Sequence, residues 1–272
     1  MCQVYYHRNF GPGANIDTAK YFVVAVDALG NGVSSSPSNS QLQPRMKFPQ
    51  FTVRDMVNSQ HQLLTEVLHL HHVKAVFGIS MGGMQTFQWI VSYPGFMDKA
   101  IPIVGTPRFT PYEILHAQME IDTIMTDADW NNGNYTDNPG RLVLGEIAAM
   151  ILWTPDGFNR MNDRQKVLDS FARYKSDPMF DANNHIRTEE AVLKLDVSDA
   201  FGGSMERAAA VVKAKVLVIS ATRDQVVIPS EPLAFAKLIQ ADVLELSGDC
   251  GHQAPSCEGE KVRVAIADFL AK

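Results

Sequence analysis

"VKAVFGISMGGMQ", residues 73–85, runs from an apolar stretch directly into Gly78-Ile79-Ser80-Met81-Gly82. Five or six strand-like residues precede the serine, and Gly82-Gly83-Met84-Gln85-Thr86-Phe87 opens a helical pattern behind it. Gly-x-Ser-x-Gly alone arises often by chance, because Gly and Ser are ordinary loop residues. The strand–turn–helix setting gives it meaning. It predicts a nucleophile elbow, in which strained backbone holds a serine Oγ clear of a sheet. Small residues two before and two after the serine would let strand and helix approach closely. The N–H of Met81, at the start of the helix, would face an oxyanion formed on a substrate, aided by the partial positive charge of a helix N-terminus.

A serine hydroxyl is a poor nucleophile until a base takes its proton, and that base needs an orienting acid. In this architecture the chain order is Ser, acid, His, each on a loop behind a successive strand. Residues 215–229 (KVLVISATRDQVVIP) place Asp224 just past an apolar run, and residues 241–260 (ADVLELSGDCGHQAPSCEGE) place His252 in a Gly-rich loop. Asp249 is the rival acid, three residues before the histidine on the same loop. Ser80, Asp224 and His252 are therefore the expected triad. His69, His71 and His72 (HLHH) suggest a metal patch, yet they sit at a helix end without a carboxylate cluster, so no metal site is expected. His61, His116 and His185 read as surface or packing residues. Cys250 and Cys257 flank His252, where packing explains them without a thiol role.

The chain has 272 residues, 46% hydrophobic and 20% charged, enough to bury a large core. A net charge of −6 argues against nucleic acid as a partner, since phosphate binding needs a basic face. No stretch approaches the roughly 18 consecutive apolar residues of a membrane span. The first residues, MCQVYYHRNF, lack the basic-then-apolar pattern of a signal peptide. Three cysteines without metal-like spacing read as reduced thiols, and a cytoplasmic location follows.

Short Val- and Ile-rich runs at residues 21–28, 73–79, 100–105, 216–220 and 243–246 read as strands covered on both faces. Helical patterns at 52–70, 84–93 and 231–239 separate most of them. Strand alternating with helix predicts an α/β protein with a mainly parallel sheet, whose function collects at the strands' carboxyl ends. Between about residues 107 and 210 only helix-like segments appear, at 112–125, 141–152 and 164–174. This reads as a helical cap on a core formed by residues 1–106 and 211–272. Met119, Met125, Met150, Trp153 and Phe158 could line an apolar pocket under it, although packing accounts for most of them.

Several stretches resemble the homoserine O-acetyltransferase branch of the α/β-hydrolase superfamily. They are residues 10–38 (FGPGANIDTAKYFVVAVDALGNGVSSSPS), 51–68 (FTVRDMVNSQHQLLTEVL), 78–89 (GISMGGMQTFQW) and 124–135 (IMTDADWNNGNY). The resemblance implies an α/β-hydrolase fold with a helical cap, the same triad, and acylation of Ser80 before the acyl group passes to an acceptor. Tyr135 matches the tyrosine of the family's Gly-x-Tyr cap motif, which implies a pocket role. Two departures matter. The acetyltransferases carry a cap arginine suited to homoserine's carboxylate, where this chain has Ile121. They follow the catalytic histidine with an aspartate, where this chain has Gln253. Loss of both charges favours a neutral small-molecule ester with water as acceptor, so the expectation is a carboxylic-ester hydrolase that needs no cofactor. The alternatives are an O-acyltransferase with acetyl-CoA as co-substrate, and a catalytically silent binding protein on the same fold.

A third departure concerns the start of the chain. Family members carry early strands and a His-Gly-type loop that donates a second oxyanion N–H, whereas Met1 already lies close to the Gly11-Pro12-Gly13 match. N-terminal strands are therefore expected to be missing, with residues 2–6 (CQVYY) a weak candidate for a substitute. A shortened reading frame or a partner chain would explain the gap, and a homodimer is the expected assembly.

Overall fold

The computed structural model describes residues 10–12, 14, 16–174 and 180–272. Two short strands, β1 (Phe10–Gly11) and β2 (Ile16–Asp17), pair in parallel. Helix α1 (Val53–Gln62) opens with a reciprocal cap between Thr52 and Asp55 and continues into a wider π-turn at Leu63–Val67. Strand β3 (Val73–Ile79) leads into α2 (Met81–Ser92), and β4 (Met97–Ile103) follows.

The long elements between β4 and the next strand are all helices: α3 (Pro111–Met125), α4 (Arg141–Ile151), α5 (Pro155–Met161), α6 (Arg164–Tyr174), α7 (Ala182–Leu193) and α8 (Met205–Ala210). The core pattern then resumes with β5 (Lys215–Ala221), α9 (Ser230–Leu238), β6 (Asp242–Leu246), the single turn α10 (Ala254–Cys257) and α11 (Gly259–Ala271). Strands β3 to β6 form one parallel sheet in that order.

Strand β5 shows how the layers are built. Its side chains alternate with period two, so Val216 and Val218 face one apolar cluster while Leu217 and Ile219 face another. The first cluster is closed by Val53 and Val57 of α1, Phe87 and Ile90 of α2, and Phe235 of α9. The second is closed by Val262, Ile266 and Phe269 of α11. Buried Lys99 of β4 ties α11 to the sheet, its Nζ donating to the carbonyls of Phe269 (2.8 Å) and Leu270 (3.0 Å). There a cation meets the negative end of a helix. The helical stretch has its own apolar centre, with Ile121 and Ile124 of α3 against Leu144 of α4 and Ile186 of α7.

The run at residues 21–28, expected as a strand, is not one. Tyr21 and Val23 pack on the second cluster and Val24 on the first, while Phe22 is 88% exposed. Apolar, β-branched composition favours a pleated surface only where a neighbouring backbone completes the ladder. Among the described residues no strand runs beside this segment. The substitute strand suggested at residues 2–6 lies outside the described residues.

The elbow that joins β3 to α2 depends on bare backbone. A methyl group on Gly78 would sit 2.0 Å from the Gly82 carbonyl oxygen, and one on Gly105 would sit 2.5 Å from the Gly83 carbonyl carbon. By contrast, a methyl on Gly82 would meet nothing within 4 Å. The small-residue requirement two after the serine thus falls on the backbone of Gly82 and not on its missing side chain. Gly78→Ala is expected to cost about 3 kcal/mol or more, because backbone must move. Gly82→Ala should be neutral or stabilising by up to ~1 kcal/mol, as Ala is the better helix former. Thermal denaturation of the two variants checks this, and equal losses would refute the asymmetry.

Candidate active site

Ser80 sits between β3 and α2 with φ 55° and ψ −119°, a conformation rarely adopted outside glycine and one that stores strain. Two hydrogen bonds hold it there: its N–H donates to the Ile103 carbonyl (2.8 Å), and its carbonyl accepts the first helical bond of α2 from the Met84 N–H (3.0 Å). The side chain is thereby projected from the carboxyl edge of the sheet. Met81 is the first residue of α2, with its N–H at that helix's positive end.

Asp224 follows β5 and His252 follows β6, and both side chains are buried. Asp224 Oδ1 accepts the N–H groups of Val226 (2.8 Å) and Val227 (3.0 Å), which leaves Oδ2 for the ring of His252 at 2.7 Å from Nδ1. A carboxylate can only accept, so Nδ1 carries the proton and Nε2 is left as an acceptor. Nε2 lies 2.8 Å from Ser80 Oγ. Ser80, His252 and Asp224 therefore form a continuous hydrogen-bonded chain across three loops that are far apart in sequence.

Asp249, the rival acid, is engaged elsewhere. Its two oxygens accept from Arg160 of α5, Oδ2 from Nε (2.9 Å) and Oδ1 from the Nη2 amine (2.6 Å), and this guanidinium holds its carboxyl below the usual range. Other contacts from the same stretch grip the histidine loop. Thr154, the cap of α5, donates its hydroxyl to the Asp249 carbonyl, and the Gln253 N–H donates to the Leu152 carbonyl (3.3 Å). Gln253 is placed by its backbone in the single 3-10 turn Gly251–Gln253 that carries His252.

Cys250 and Cys257 are joined by a disulfide across seven positions, which corrects the expectation of two reduced thiols. Turn α10 brings the two residues to a Cα separation of 6.5 Å, within bridging distance. Their spacing in sequence could not show this fold-back. The bridge closes the loop that carries His252.

Glu113 was missed from sequence. It is buried at the first turn of α3, where Oε2 accepts the Thr110 N–H (2.6 Å) and Oε1 accepts the Ile228 N–H (3.1 Å) on the acid loop. Burial raises its pKa. The capping half of this role was legible in Thr110-Pro111-Tyr112-Glu113. The bond to Ile228, 115 residues away, was not.

Tyr135 and the apolar candidates lie differently from expectation. The Tyr135 hydroxyl donates to Asp181 Oδ2 (2.8 Å) and accepts from the Asn183 N–H (3.2 Å), and its ring packs beside the Ile121 cluster. Those bonds lock the start of α7. Met119, Met125 and Met150 are exposed, and Trp153 packs on the sheet's second apolar cluster. Phe158 lines an open cleft of about 360 Å³ that contains no residue of the Ser80–His252–Asp224 chain. Of the histidines, His61 stacks on Tyr93 at 3.8 Å between ring centres and His72 pairs with Asp98 at 3.0 Å. Among the described residues no helix is long and apolar enough to cross a membrane.

The bridge is open to a direct test. Thiol titration of the denatured, unreduced chain should find one free thiol, since two of its three cysteines are bridged. Reduction should lower stability by about 2–3 kcal/mol, the loop-closure term for so short a loop. Three free thiols before reduction would refute it.

The chain is also similar to known proteins. The family model for the α/β hydrolase fold matches residues 4–255. A homoserine O-acetyltransferase from Nautilia profundicola is 30% identical over 96% of this chain and 79% of its own length. An ethyl acetate hydrolase from Pseudomonas veronii is 31% identical over 88% of this chain and 70% of its own. The structure of the acetyl esterase MekB superposes with a TM-score of 0.91 at 28% identity, covering 98% of this chain and 82% of that one. Other homoserine O-acetyltransferases are longer, and the chain spans 58–59% of their length. The chain is an enzyme that belongs to the α/β-hydrolase fold family, in the branch shared by homoserine O-acetyltransferases and acetyl-ester hydrolases, and its chemistry is serine-dependent acyl transfer or ester hydrolysis.

Proposed function

We propose that this chain hydrolyses small, neutral carboxylic esters through an acyl-serine intermediate. The observation that carries the reading is the hydrogen-bonded chain from Asp224 through His252 to Ser80. In the first step His252 Nε2 takes the Ser80 proton as Oγ attacks the ester carbonyl. The Met81 N–H donates to the oxyanion, and Asp224 stabilises the imidazolium. His252 then returns the proton to the leaving alcohol. Water, activated by the same nitrogen, attacks the acyl-enzyme and frees the acid and Ser80.

Two features favour water over an amino-acid acceptor. Where the family's acetyltransferases are expected to carry an arginine, Ile121 is buried in an apolar cluster and offers no cation for a carboxylate. After the histidine, Gln253 is neutral and offers no anion for an ammonium. The helical stretch between β4 and β5 acts in this reading as a cap that excludes bulk water, and a neutral ester pays the least desolvation cost on entering. Acetyl is the acyl group favoured by the relatives' names. No cofactor is required for these steps. Neither nucleic acid nor a membrane is a proposed partner, and a homodimer is the proposed assembly. The cytoplasm is the proposed compartment, with the Cys250–Cys257 bridge the one feature that favours an oxidising one instead.

A transferase that passes acetyl from acetyl-CoA to an alcohol is the second reading, favoured by the homoserine O-acetyltransferase relatives. The two differ only in the acceptor, so products separate them. A neutral acetate ester supplied with homoserine should yield free acetate and no O-acetylhomoserine, whereas accumulation of the acetylated alcohol from acetyl-CoA would establish the transferase.

With p-nitrophenyl acetate, Ser80→Ala is expected to lower kcat by roughly a thousandfold or more. Asp224→Asn should lower it by about 10³–10⁴, because the wrong imidazole tautomer results. Asp249→Asn breaks only a half-exposed ion pair and should retain most activity. Equal turnover by wild type and Ser80→Ala would sink the proposal.

A further inference from the structure

Helices α3 and α7 cross within the helical stretch, and where they meet they present four titratable side chains far from the sheet's carboxyl edge in sequence. His116 and Glu120 stand one turn apart on α3, and His185 and Glu189 stand one turn apart on α7. An i, i+4 spacing puts each pair on one helix face. His116 Nε2 lies 3.0 Å from Glu120 Oε1, and His185 Nε2 lies 2.8 Å from Glu120 Oε2. One ligand atom from each of Glu120, His185 and Glu189 falls within 4.8 Å of the others.

We propose that Glu120, His185 and Glu189 form a binding site for a divalent transition-metal cation of the zinc class, which staples α3 to α7. Three observations support it. The donor set is one imidazole and two carboxylates, a combination that suits zinc and its neighbours better than the all-oxygen shells of magnesium or calcium. Glu120 is buried, so two carboxylates face each other where water screens them poorly. Glu189, the second of them, is half-buried and places an oxygen in the cluster. Two carboxylates held this close repel each other, and a cation would offset that repulsion.

His116 Nε2 stands 3.0 Å from the other Glu120 oxygen, an ion-pair contact that lacks hydrogen-bond alignment. The His185–Glu120 separation is that of a hydrogen bond, and Glu189 stands farther out. A cation bound by about 2.0–2.2 Å bonds would replace the proton between Glu120 and His185 and draw Glu189 inward. The site is built from the helical stretch alone. It therefore makes no claim on the chemistry at Ser80, and it stands or falls apart from the proposed hydrolysis.

The test uses the whole chain, stripped with chelator and dialysed against zinc chloride. Wild type should retain about one zinc per chain by elemental analysis. Its Tm should rise by roughly 5 °C or more when zinc exceeds its dissociation constant a hundredfold. Cobalt should give visible absorption of a low-symmetry, nitrogen-containing site. Glu189→Gln, nearly isosteric and able to keep the helix, should lose the bound metal and the Tm rise while its circular dichroism is unchanged. His185→Asn should do the same. A His71→Ala/His72→Ala double variant removes the exposed histidines and should behave as wild type. Absence of retained zinc and of any Tm shift in wild type would overturn the site, leaving an ion-paired cluster that only joins two helices. Full retention by Glu189→Gln, or loss in the His71/His72 variant, would overturn it equally.

Discussion

The contact of bare backbone on bare backbone at the β3–α2 turn is the constraint from which the site follows. Gly78 meets Gly82, and Gly105 meets Gly83, at distances that leave no room for a methyl group. This closeness forces the chain to reverse within one residue. Ser80 takes that residue's positive φ, with its N–H and carbonyl both bonded so that the strain persists. A serine placed on a relaxed loop would hydrogen-bond its own surroundings. Here the geometry brings its hydroxyl to the ring that follows β6.

The other half of the site belongs to the helical stretch as much as to the sheet. The histidine loop is closed by a disulfide and held by Thr154, Leu152 and Arg160 from one side. The acid loop is held by Glu113 and by an ion pair between Arg223 and Asp156. Their strengths differ. The exposed ion pairs contribute little, the buried bonds about 1 kcal/mol each, and the bridge more than either. Movement of α3 and α5 would thus act on the Ser80–His252–Asp224 distances, because the helical stretch holds the loops of two of these residues.

In the proposed hydrolysis, acceptor choice rests on charges that Ile121 and Gln253 do not supply. In the proposed mechanism the Ser80–His252–Asp224 chain would serve hydrolysis and transfer alike, since both would begin with the same acyl-serine. What separates them is whether a carboxylate and an ammonium find partners beside it. Ile121 belongs to the apolar centre of the helical stretch, and the Tyr135 hydroxyl is committed to Asp181 and Asn183. A change of acceptor would then need new charged groups in the cap and would leave the elbow untouched.

By itself the sequence determined the parts whose signals are local. The strand at 73–79, the serine turn, the helix behind it, and the loops carrying Asp224 and His252 were all readable, because apolar runs, glycine spacing and chain order reside within a few residues of each other. Only the tertiary structure decided what depends on distant partners. The run at 21–28 has a strand's composition, yet it is no strand without a neighbouring ladder. Cys250 and Cys257 look like two thiols until a turn of helix folds one back on the other. His185 looks like a packing residue until it meets Glu120 of another helix, and Glu113 looks like a cap until Ile228 arrives from the acid loop. In each case the energy lies in a contact between segments, and a linear chain does not state which of its segments will meet.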